Sequence, residues 1–363
     1  MNLSMKRGLA LVLFGGMGSL ALVLAGNELN REKRMHPSNR IVAVMEKTRP
    51  LCIGRFIIDV PLAAEVAYGP ARIPVETWRN IGEGQNLEAF VKRAVAKSEE
   101  DRWLARDGLV SKTSMLGKVV DGAGPNHKIV FGVGRGSGSF YNVQSYVSVG
   151  ADLFVQEYEE FGEDDKYLDA VQDAKDIASR LVARSEDDLP GDQGICIDGA
   201  FVREPERYMV EAVSLGIRLR EFEGVHLSIQ MTKKSRLIAS DAIEPRLKAA
   251  EKSLIANGYG SWYKRVNFLR RGQRKIWNWE GFEVAAHRPA IDSEEESHEF
   301  AFLSHGEPKN PLLPVIDVKL HTGVKGNEIG GMPPSITDEE ALYLWDKVLG
   351  SIRPRAVQNR DAR

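Results

Sequence analysis

The chain has 363 residues, and its 49 lysine and arginine residues nearly balance its 51 aspartate and glutamate residues, giving a formal net charge of −2 at pH 7. This balance excludes a uniformly basic nucleic-acid binder, and the 2 cysteines exclude a multi-disulfide scaffold or a four-thiolate zinc ribbon. At about 150 residues per domain, the length predicts two domains with cores that need no metal or disulfide.

Residues 1–26 have the pattern of an export signal. Lys6 and Arg7 precede an uncharged stretch over residues 8–26. This stretch is longer than a typical secretory h-region of about 7–15 residues and slightly shorter than a membrane span of about 20. A signal peptide and an N-terminal anchor are therefore the two interpretations to compare.

Small residues near the end of the segment favour the signal peptide. Val23 and Ala25 suit the −3 and −1 positions of a signal-peptidase site, so we expect cleavage. The chain would contact a membrane only through residues 8–26, and only if they stay uncleaved. The polar residues 27–40 are predicted to form a linker.

The rest of the chain looks duplicated. One segment runs from Cys52 to Pro61 as CIGRFIIDVP, and another runs from Cys196 to Pro205 as CIDGAFVREP. Each combines a cysteine, a glycine and an aromatic residue in a β-branched run, which favours a strand. Asp198 precedes the glycine only in the second segment, so the two repeats differ in detail.

The two openings are followed by the same kinds of elements in the same order. In the first half, strand periodicity covers residues 72–78, 114–120, 128–133 and 139–158, and helical periodicity covers 87–95 and 168–182. In the second half, the predicted strands are 210–220, 224–231, 266–269, 275–287, 298–304 and 313–322, and the predicted helices are 247–255 and 341–352. Thr337-x-x-Glu340 is a capping box ahead of the last helix.

These patterns predict an α+β protein with two similar tandem domains. We place the first domain at residues 41–190 and the second at 191–356, with a short tail at 357–363. Each domain is expected to be an antiparallel sheet with helices packed on one face.

The two cysteine-bearing openings and the leading export segment resemble the Tle cognate immunity family. The matching stretches are RPLCIGRFIIDVP, ending at Pro61, and GICIDGAF, ending at Phe201. The resemblance implies a periplasmic protein that guards a bacterium against a lipase effector delivered by type VI secretion. It also implies two domains arranged as a claw that grips the lipase and blocks its active site, without cofactor or chemistry of its own.

A search for catalytic or metal-binding motifs gives little. The sequence has no Gly-x-Ser-x-Gly elbow, and its 7 histidines include no His-Glu-x-x-His motif. Ser297-His298-Glu299 lies in a run of acids and is interpreted as a solvated strand end rather than a metal or catalytic site. We predict no catalytic, cofactor-binding or metal residues.

The glycine-rich segment 132–138 is interpreted as a hairpin tip. It lacks the Lys-Ser/Thr pair of a phosphate-binding loop, and its alternating glycines favour a turn. A tip of this kind could insert into a partner, so Gly134, Arg135 and Gly136 are candidate partner-binding residues.

Residues 262–279 are the richest in side chains that dominate protein interfaces. One interpretation is partner contact, through the candidates Trp262, Tyr263, Arg270, Arg271, Arg274 and Trp277. The other is that Trp277 and Trp279 belong to the core on one sheet face while the three arginines lie in a solvated turn. Nucleic-acid stacking would suit the same composition, but the export signal argues against a nucleic-acid partner.

The two cysteines leave two possibilities open. Export would place Cys52 and Cys196 in an oxidising compartment, where a disulfide is possible if their Cα atoms lie within about 7 Å. Alternatively, each is a small buried apolar residue that repeat duplication carried to both places.

Two classes of function follow from the sequence. The first is an immunity protein that binds a type VI lipase effector. The alternative is an exported enzyme or small-ligand-binding protein with an unrecognised site.

Overall fold

A computed structural model describes residues 37–136, 138–162, 165–203, 210–236 and 238–357. The predicted signal peptide or anchor at residues 1–26 lies outside the described residues, as do most of the linker and most of the tail. Within the described ranges, every helix is too short or too polar to cross a membrane.

The described chain alternates short helices with many strands. The helices are α1 Asn39–Met45, α2 Leu87–Glu100, α3 Tyr167–Arg180, α4 Ile243–Ala256, α5 Gly260–Tyr263 and α6 Asp338–Ser351. The strands up to residue 203 are β1 Thr48–Ile53, β2 Phe56–Pro61, β3 Glu65–Tyr68, β4 Ala71–Arg72, β5 Glu76–Asn80, β6 Val119–Asp121, β7 His127–Val133, β8 Phe140–Val149, β9 Asp152–Phe161, β10 Leu181–Ala183, β11 Gly194–Ile197 and β12 Ala200–Arg203. The later strands are β13 Glu211–Arg218, β14 His226–Lys233, β15 Asn267–Ile276, β16 Trp279–Arg288, β17 Ser297–Ser304, β18 Val315–His321 and β19 Arg353–Pro354.

These elements form two compact units, and each unit draws on three stretches of chain. Unit 1 contains the described residues up to 51, residues 56–67 and residues 214–354. Unit 2 contains residues 52–55, residues 68–213 and the residues from 355 onward. The tandem boundaries 41–190 and 191–356 stay a prediction, but the strand pair β11–β12, expected to open the second half, groups with unit 2.

Unit 2 is built on an antiparallel sheet with the order β4-β5-β9-β8-β7-β6. Strands β8 and β9 form one long hairpin, paired from Phe140↔Phe161 to Val149↔Asp152. The predicted strand 139–158 is therefore two strands joined by a turn.

Neighbouring residues of β7 show that helices cover both faces of this sheet. Val130 packs in a cluster with Leu87 and Val91 of α2. Phe131, the next residue, packs in a different cluster with Ala174 of α3. Because successive strand residues point to opposite faces, α2 and α3 lie on opposite sides of the sheet.

Unit 1 has the same layering around the antiparallel order β15-β16-β17-β18-β14. Ala301 of β17 packs with Leu247 of α4 and Trp262 of α5. Phe300, on the other face, packs against Trp345 of α6, with ring centroids 5.9 Å apart. The α+β class with antiparallel sheets is confirmed, and the prediction of helices on one face is wrong, since each sheet lies between helices.

Helix α6 begins at the predicted capping box. The Glu340 N–H donates to Thr337 Oγ1 at 3.3 Å, and the Thr337 N–H donates to Glu340 Oε2 at 2.9 Å. The Glu340 carboxylate also receives hydrogen bonds from the Arg40 guanidinium, at 2.7 and 2.5 Å. Arg40 holds the pKa of Glu340 at about 2, so this carboxylate stays ionised and caps the helix as an anion.

Candidate partner-binding surfaces

The tip of the β7–β8 hairpin lies in unit 2 and matches the predicted loop. The Gly134 N–H donates to Phe140 O at 2.7 Å, and the Arg135 N–H donates to Glu159 Oε1 at 3.1 Å. Gly136 has a φ of 93°, a left-handed conformation that favours glycine. Arg135 projects into solvent with 89% of its side chain exposed.

Two neighbouring segments are hydrogen-bonded to this tip. The Arg106 N–H donates to Gly138 O at 2.9 Å, which attaches the short 3-10 turns that follow α2. The Gly162 N–H donates to Ser139 O at 2.9 Å, which attaches the end of β9. We call residues 103–110, 134–136, 138–139 and 161 together the tip surface.

The tip surface exposes large apolar side chains and an arginine, Arg135, whose guanidinium lies 4.0 Å from the Glu157 carboxylate. Trp103 is 72% exposed, Val110 67% and Phe161 50%. Phe161 packs against Phe140 with ring centroids 4.2 Å apart, and Lys166 Nζ lies 5.3 Å from the Phe161 ring centroid, so the exposed ring is held between two neighbours. Exposed tryptophan, phenylalanine and arginine side chains held on a hydrogen-bonded frame are typical of protein-binding surfaces.

Sequence reasoning found the glycine-arginine tip but missed Trp103 and Phe161. The available signal for Trp103 was a pair of large apolar residues, Trp103-Leu104, placed after the amphipathic stripe of α2 had ended. For Phe161 the signal was a single aromatic residue inside an acidic run, of which Glu163 and Asp164 lie outside the described residues.

The other candidate region forms the β15–β16 hairpin and helix α5 of unit 1. Trp262 and Tyr263 are buried in the core, with 5% and 8% exposure. Trp279 is fully buried, whereas Trp277 occupies the two-residue turn with a φ of 49° and 39% exposure. A role for Trp262 and Tyr263 in partner contact stays a prediction, and Trp277 is the aromatic side chain of this group that solvent reaches.

The three arginines lie along strand β15, so the interpretation that places them in a solvated turn is wrong. Arg270 donates to both carboxylate oxygens of Asp346, at 2.6 and 2.8 Å. Arg274 contacts Asp346 at 3.0 Å and also pairs with Glu283. The Arg271 guanidinium lies 5.7 Å from the Phe268 ring centroid. Much of the predicted basic patch is thus matched by acids of the same unit.

The two cysteines are bonded. Cys52 and Cys196 form a disulfide with Cα atoms 5.8 Å apart, and both are fully buried. The adjacent backbone is paired as well, since the Gly54 N–H donates to Cys196 O at 2.9 Å and the Cys196 N–H donates to Gly54 O at 2.8 Å. The interpretation of two unpaired thiols is therefore wrong, and the bond joins the two repeat openings inside unit 2.

One serine–histidine pair in unit 2 has the separation of a catalytic pair, but its histidine carries the ring proton on the nitrogen that faces the serine. His127 Nε2 lies 2.9 Å from Ser145 Oγ, and His127 Nδ1 accepts the Ala123 N–H at 2.9 Å. Because Nδ1 accepts, the ring proton is on Nε2 and points at the serine, so His127 cannot remove the serine proton. Burial lowers the pKa of His127 to about 4, which keeps the ring neutral.

The segment Ser297-His298-Glu299 is buried, so its interpretation as a solvated strand end is wrong. All three residues are at most 1% exposed. Burial raises the pKa of Glu299 to about 7, although Arg288 Nη1 lies 3.1 Å from its carboxylate. His298 Nε2 lies 2.8 Å from Asp338 Oδ1 at the start of α6.

Comparison with solved structures identifies proteins of similar fold. Its fold is similar to a chain of the Tle4–Tli4 complex, with a TM-score of 0.69, 21% identity, and coverage of 86% of this chain and 99% of that one. It is also similar to the immunity protein TplEi of the type VI secretion system of Pseudomonas aeruginosa, in the apo form with a TM-score of 0.66, 21% identity and coverage of 86% and 98%. The same protein complexed with "L" peptide gives a TM-score of 0.63, 20% identity and coverage of 85% and 99%.

A family match names the group more narrowly. Residues 188–357 match the model of the Tle cognate immunity protein 4 C-terminal domain. A search of curated protein sequences finds no match. The fold is α+β, and residues 188–357 belong to the family of the Tle cognate immunity protein 4 C-terminal domain.

Proposed function

We propose that this chain is an immunity protein that binds a type VI secretion lipase effector in the periplasm and occludes its active site. The observation that carries the proposal is the match of residues 188–357 to the Tle cognate immunity protein 4 C-terminal domain. The similarity of fold to a chain of the Tle4–Tli4 complex supports the same class of partner. The tandem domain boundaries and the claw arrangement implied by the family remain predictions within this proposal.

The chain would act by binding alone. The Ser145–His127 pair supports this view, because the histidine proton points at the serine hydroxyl and the ring stays neutral. An inhibitor that works by occlusion must instead bury a stable interface, of at least about 1,000 Å².

Within unit 2, the tip surface is the part we expect to enter the partner. Trp103 and Phe161 present exposed apolar side chains, and Arg135 supplies a charge that can pair with an acid of the lipase. Side chains of these types carry most of the binding energy in protein interfaces, with single truncations costing about 2 kcal/mol or more.

A binding titration tests both the partner and the surface. The mature chain, residues 27–363, should bind the lipase encoded by the neighbouring gene with a one-to-one stoichiometry. Trp103→Ala should weaken binding by about 30-fold, which corresponds to about 2 kcal/mol. Failure of the wild-type chain to bind would overturn the proposed partner, whereas unchanged affinity of the variant would overturn only the proposed surface.

Ile81→Ala is the matched control. Ile81 is 72% exposed, as Trp103 is, and it follows β5. The last residue of β5 pairs with Leu153, near the start of β9. The tip surface adjoins the other end of β9, at Phe161, which lies about 26 Å from Leu153 along the strand. Ile81→Ala should keep the affinity for the lipase within about twofold of the wild-type value, because an exposed side chain far from the interface contributes little to binding.

The disulfide supports a periplasmic location. Structural disulfides form and persist in the periplasm and are rare in the cytosol. The export segment at residues 1–26 is consistent with this compartment. Cells exposed to the effector should survive with the full-length gene and stay sensitive with a form that lacks residues 1–26; protection by that cytoplasmic form would contradict the proposed location.

A further inference from the structure

The side chains of two histidines and an aspartate lie close together in unit 1, and the proposed function assigns them no role. His287 of β16 and His298 of β17 are cross-strand partners, with ring centroids 4.7 Å apart. Asp338 is the first residue of α6. Its Oδ1 atom lies 2.7 Å from His287 Nδ1 and 2.8 Å from His298 Nε2.

Secondary structure holds the three side chains rigidly. The register between β16 and β17 places the two rings side by side on one face of the sheet. The capping box of Thr337 and Glu340 fixes Asp338, the first residue of α6, at the N-terminus of the helix. The donor atoms come from three separate elements that all belong to unit 1.

Each histidine also has a second polar neighbour on its other ring nitrogen. His298 Nδ1 lies 2.9 Å from Thr322 Oγ1, which fixes the orientation of the ring. His287 Nε2 lies 3.5 Å from Glu296 Oε2, which is an ion-pair distance without a hydrogen bond. Metal-ligating histidines usually have such a partner, either a hydroxyl, a carbonyl or a carboxylate, opposite the metal.

We propose that His287, His298 and Asp338 form a binding site for a zinc-type divalent cation. Their three donor atoms lie within 4.8 Å of one another. Tetrahedral Zn²⁺ with bonds of about 2.0–2.1 Å needs donor atoms about 3.3 Å apart. Each histidine nitrogen must therefore move about half an ångström away from the aspartate oxygen, and the two nitrogens, which lie within 4.8 Å of each other, must also reach a separation of about 3.3 Å. Two imidazoles and one carboxylate favour zinc over calcium or magnesium, which prefer oxygen ligands.

Exposure leaves room for a fourth ligand. The His298 side chain is 1% exposed, but the side chains of His287 and Asp338 are 24% and 29% exposed. A water molecule can therefore complete the tetrahedron from the solvent side.

Metal binding is measured on the full-length gene product purified without a polyhistidine tag and stripped with a chelator. Zn²⁺ is titrated in competition with a chromophoric chelator, and Co²⁺ is added separately to observe the visible absorption of a tetrahedral site. We expect one equivalent of metal and an upward shift of the melting temperature with Zn²⁺. No uptake of Zn²⁺ beyond the chelator would overturn the proposal.

Variants separate the site from adventitious binding. His287→Gln and Asp338→Asn should each weaken Zn²⁺ binding by at least about 100-fold, and Glu296→Gln by about 10-fold, since outer-shell changes cost about 10–100-fold. His226→Gln, a histidine substitution in the same unit but outside the cluster, should leave the affinity unchanged. Equal affinity in wild type, His287→Gln and Asp338→Asn would overturn the site, and the melting temperature without metal shows that each variant is folded.

Discussion

Removal of the Cys52–Cys196 disulfide is the change whose effect on stability is largest and easiest to calculate. The bond closes a loop with a sequence separation of 144 residues. In the chain-entropy model, a loop of this length restricts the unfolded chain by about 5 kcal/mol, which is an upper figure because strain and residual structure subtract from it. We expect a loss of about 3–5 kcal/mol in the unfolding of unit 2, which contains both cysteines.

The assay compares three forms of the protein in urea. The oxidised wild type is compared with the reduced wild type, which keeps both sulfur atoms packed but lacks the cross-link, and with a Cys52→Ala, Cys196→Ala double variant. The reduced protein measures the cross-link alone, and the double variant adds the loss of two fully buried sulfur atoms.

Two results would refute this reasoning. If oxidised and reduced wild type unfold at the same urea concentration, the bond does not restrict the unfolded state as calculated. If the unfolded, unreduced protein titrates with two free thiols, the bond does not form in the exported protein.

Three further substitutions test a buried hydrogen bond, a helix cap and the protonation of a buried histidine. Trp345→Phe removes the indole N–H that donates to the buried Glu283 carboxylate at 2.6 Å, and should cost about 1–3 kcal/mol in urea unfolding. Thr337→Ala removes the side chain that accepts the Glu340 N–H, and should cost about 1 kcal/mol in the same assay. Folding lowers the pKa of His127 from 6.5 to about 4. Between these two pH values the histidine is protonated in the unfolded chain but neutral in the folded chain. The free energy of unfolding should therefore fall as the pH drops from 6.5 to 4, by up to about 3 kcal/mol. A His127→Gln variant should lose that part of the pH dependence.

Each of these predictions has an outcome that would contradict it. A Trp345→Phe variant as stable as wild type would mean that Glu283 is satisfied by Arg274 alone. Urea unfolding of Thr337→Ala at the wild-type midpoint would mean that the cap is replaced by solvent. Identical pH profiles for wild type and His127→Gln would mean that His127 does not stay neutral in the folded chain.

Elements with strong periodicity could be predicted from the sequence. Helix α6 and its capping box at Thr337 follow from local pattern and hydrogen bonding, and both are present. The hairpin at residues 134–139 follows from its glycines. These features depend on residues close together in the chain, which sequence patterns describe directly.

Features that depend on distant contacts could not be predicted in the same way. Placing α2 and α3 on opposite faces requires knowing that Val130 and Phe131 each meet a different helix. The turn of the β15–β16 hairpin lies at Trp277, although glycine is the stronger turn signal, because Gly272 lies inside a strand and pairs with Glu283. His298 was assigned to solvent from its acidic neighbours, although packing buries it.

The candidate surfaces show the same division. Arg135 was identified because a glycine-rich loop is visible in the sequence. Trp103 was missed because its exposure depends on where the chain goes after α2, and Trp262 was included because tryptophan is common in interfaces although here it fills the core.

Lipase activity measured against increasing amounts of residues 27–363 tests whether the chain inhibits a lipase by binding it and occluding its active site. The enzyme is the cognate lipase effector, which we expect a neighbouring gene to encode, held at a fixed concentration well above the dissociation constant. The account predicts a linear fall to zero activity that ends at one equivalent, and no hydrolysis of the lipase substrate by the chain alone. Full lipase activity at several equivalents, or hydrolysis by the chain itself, would contradict it.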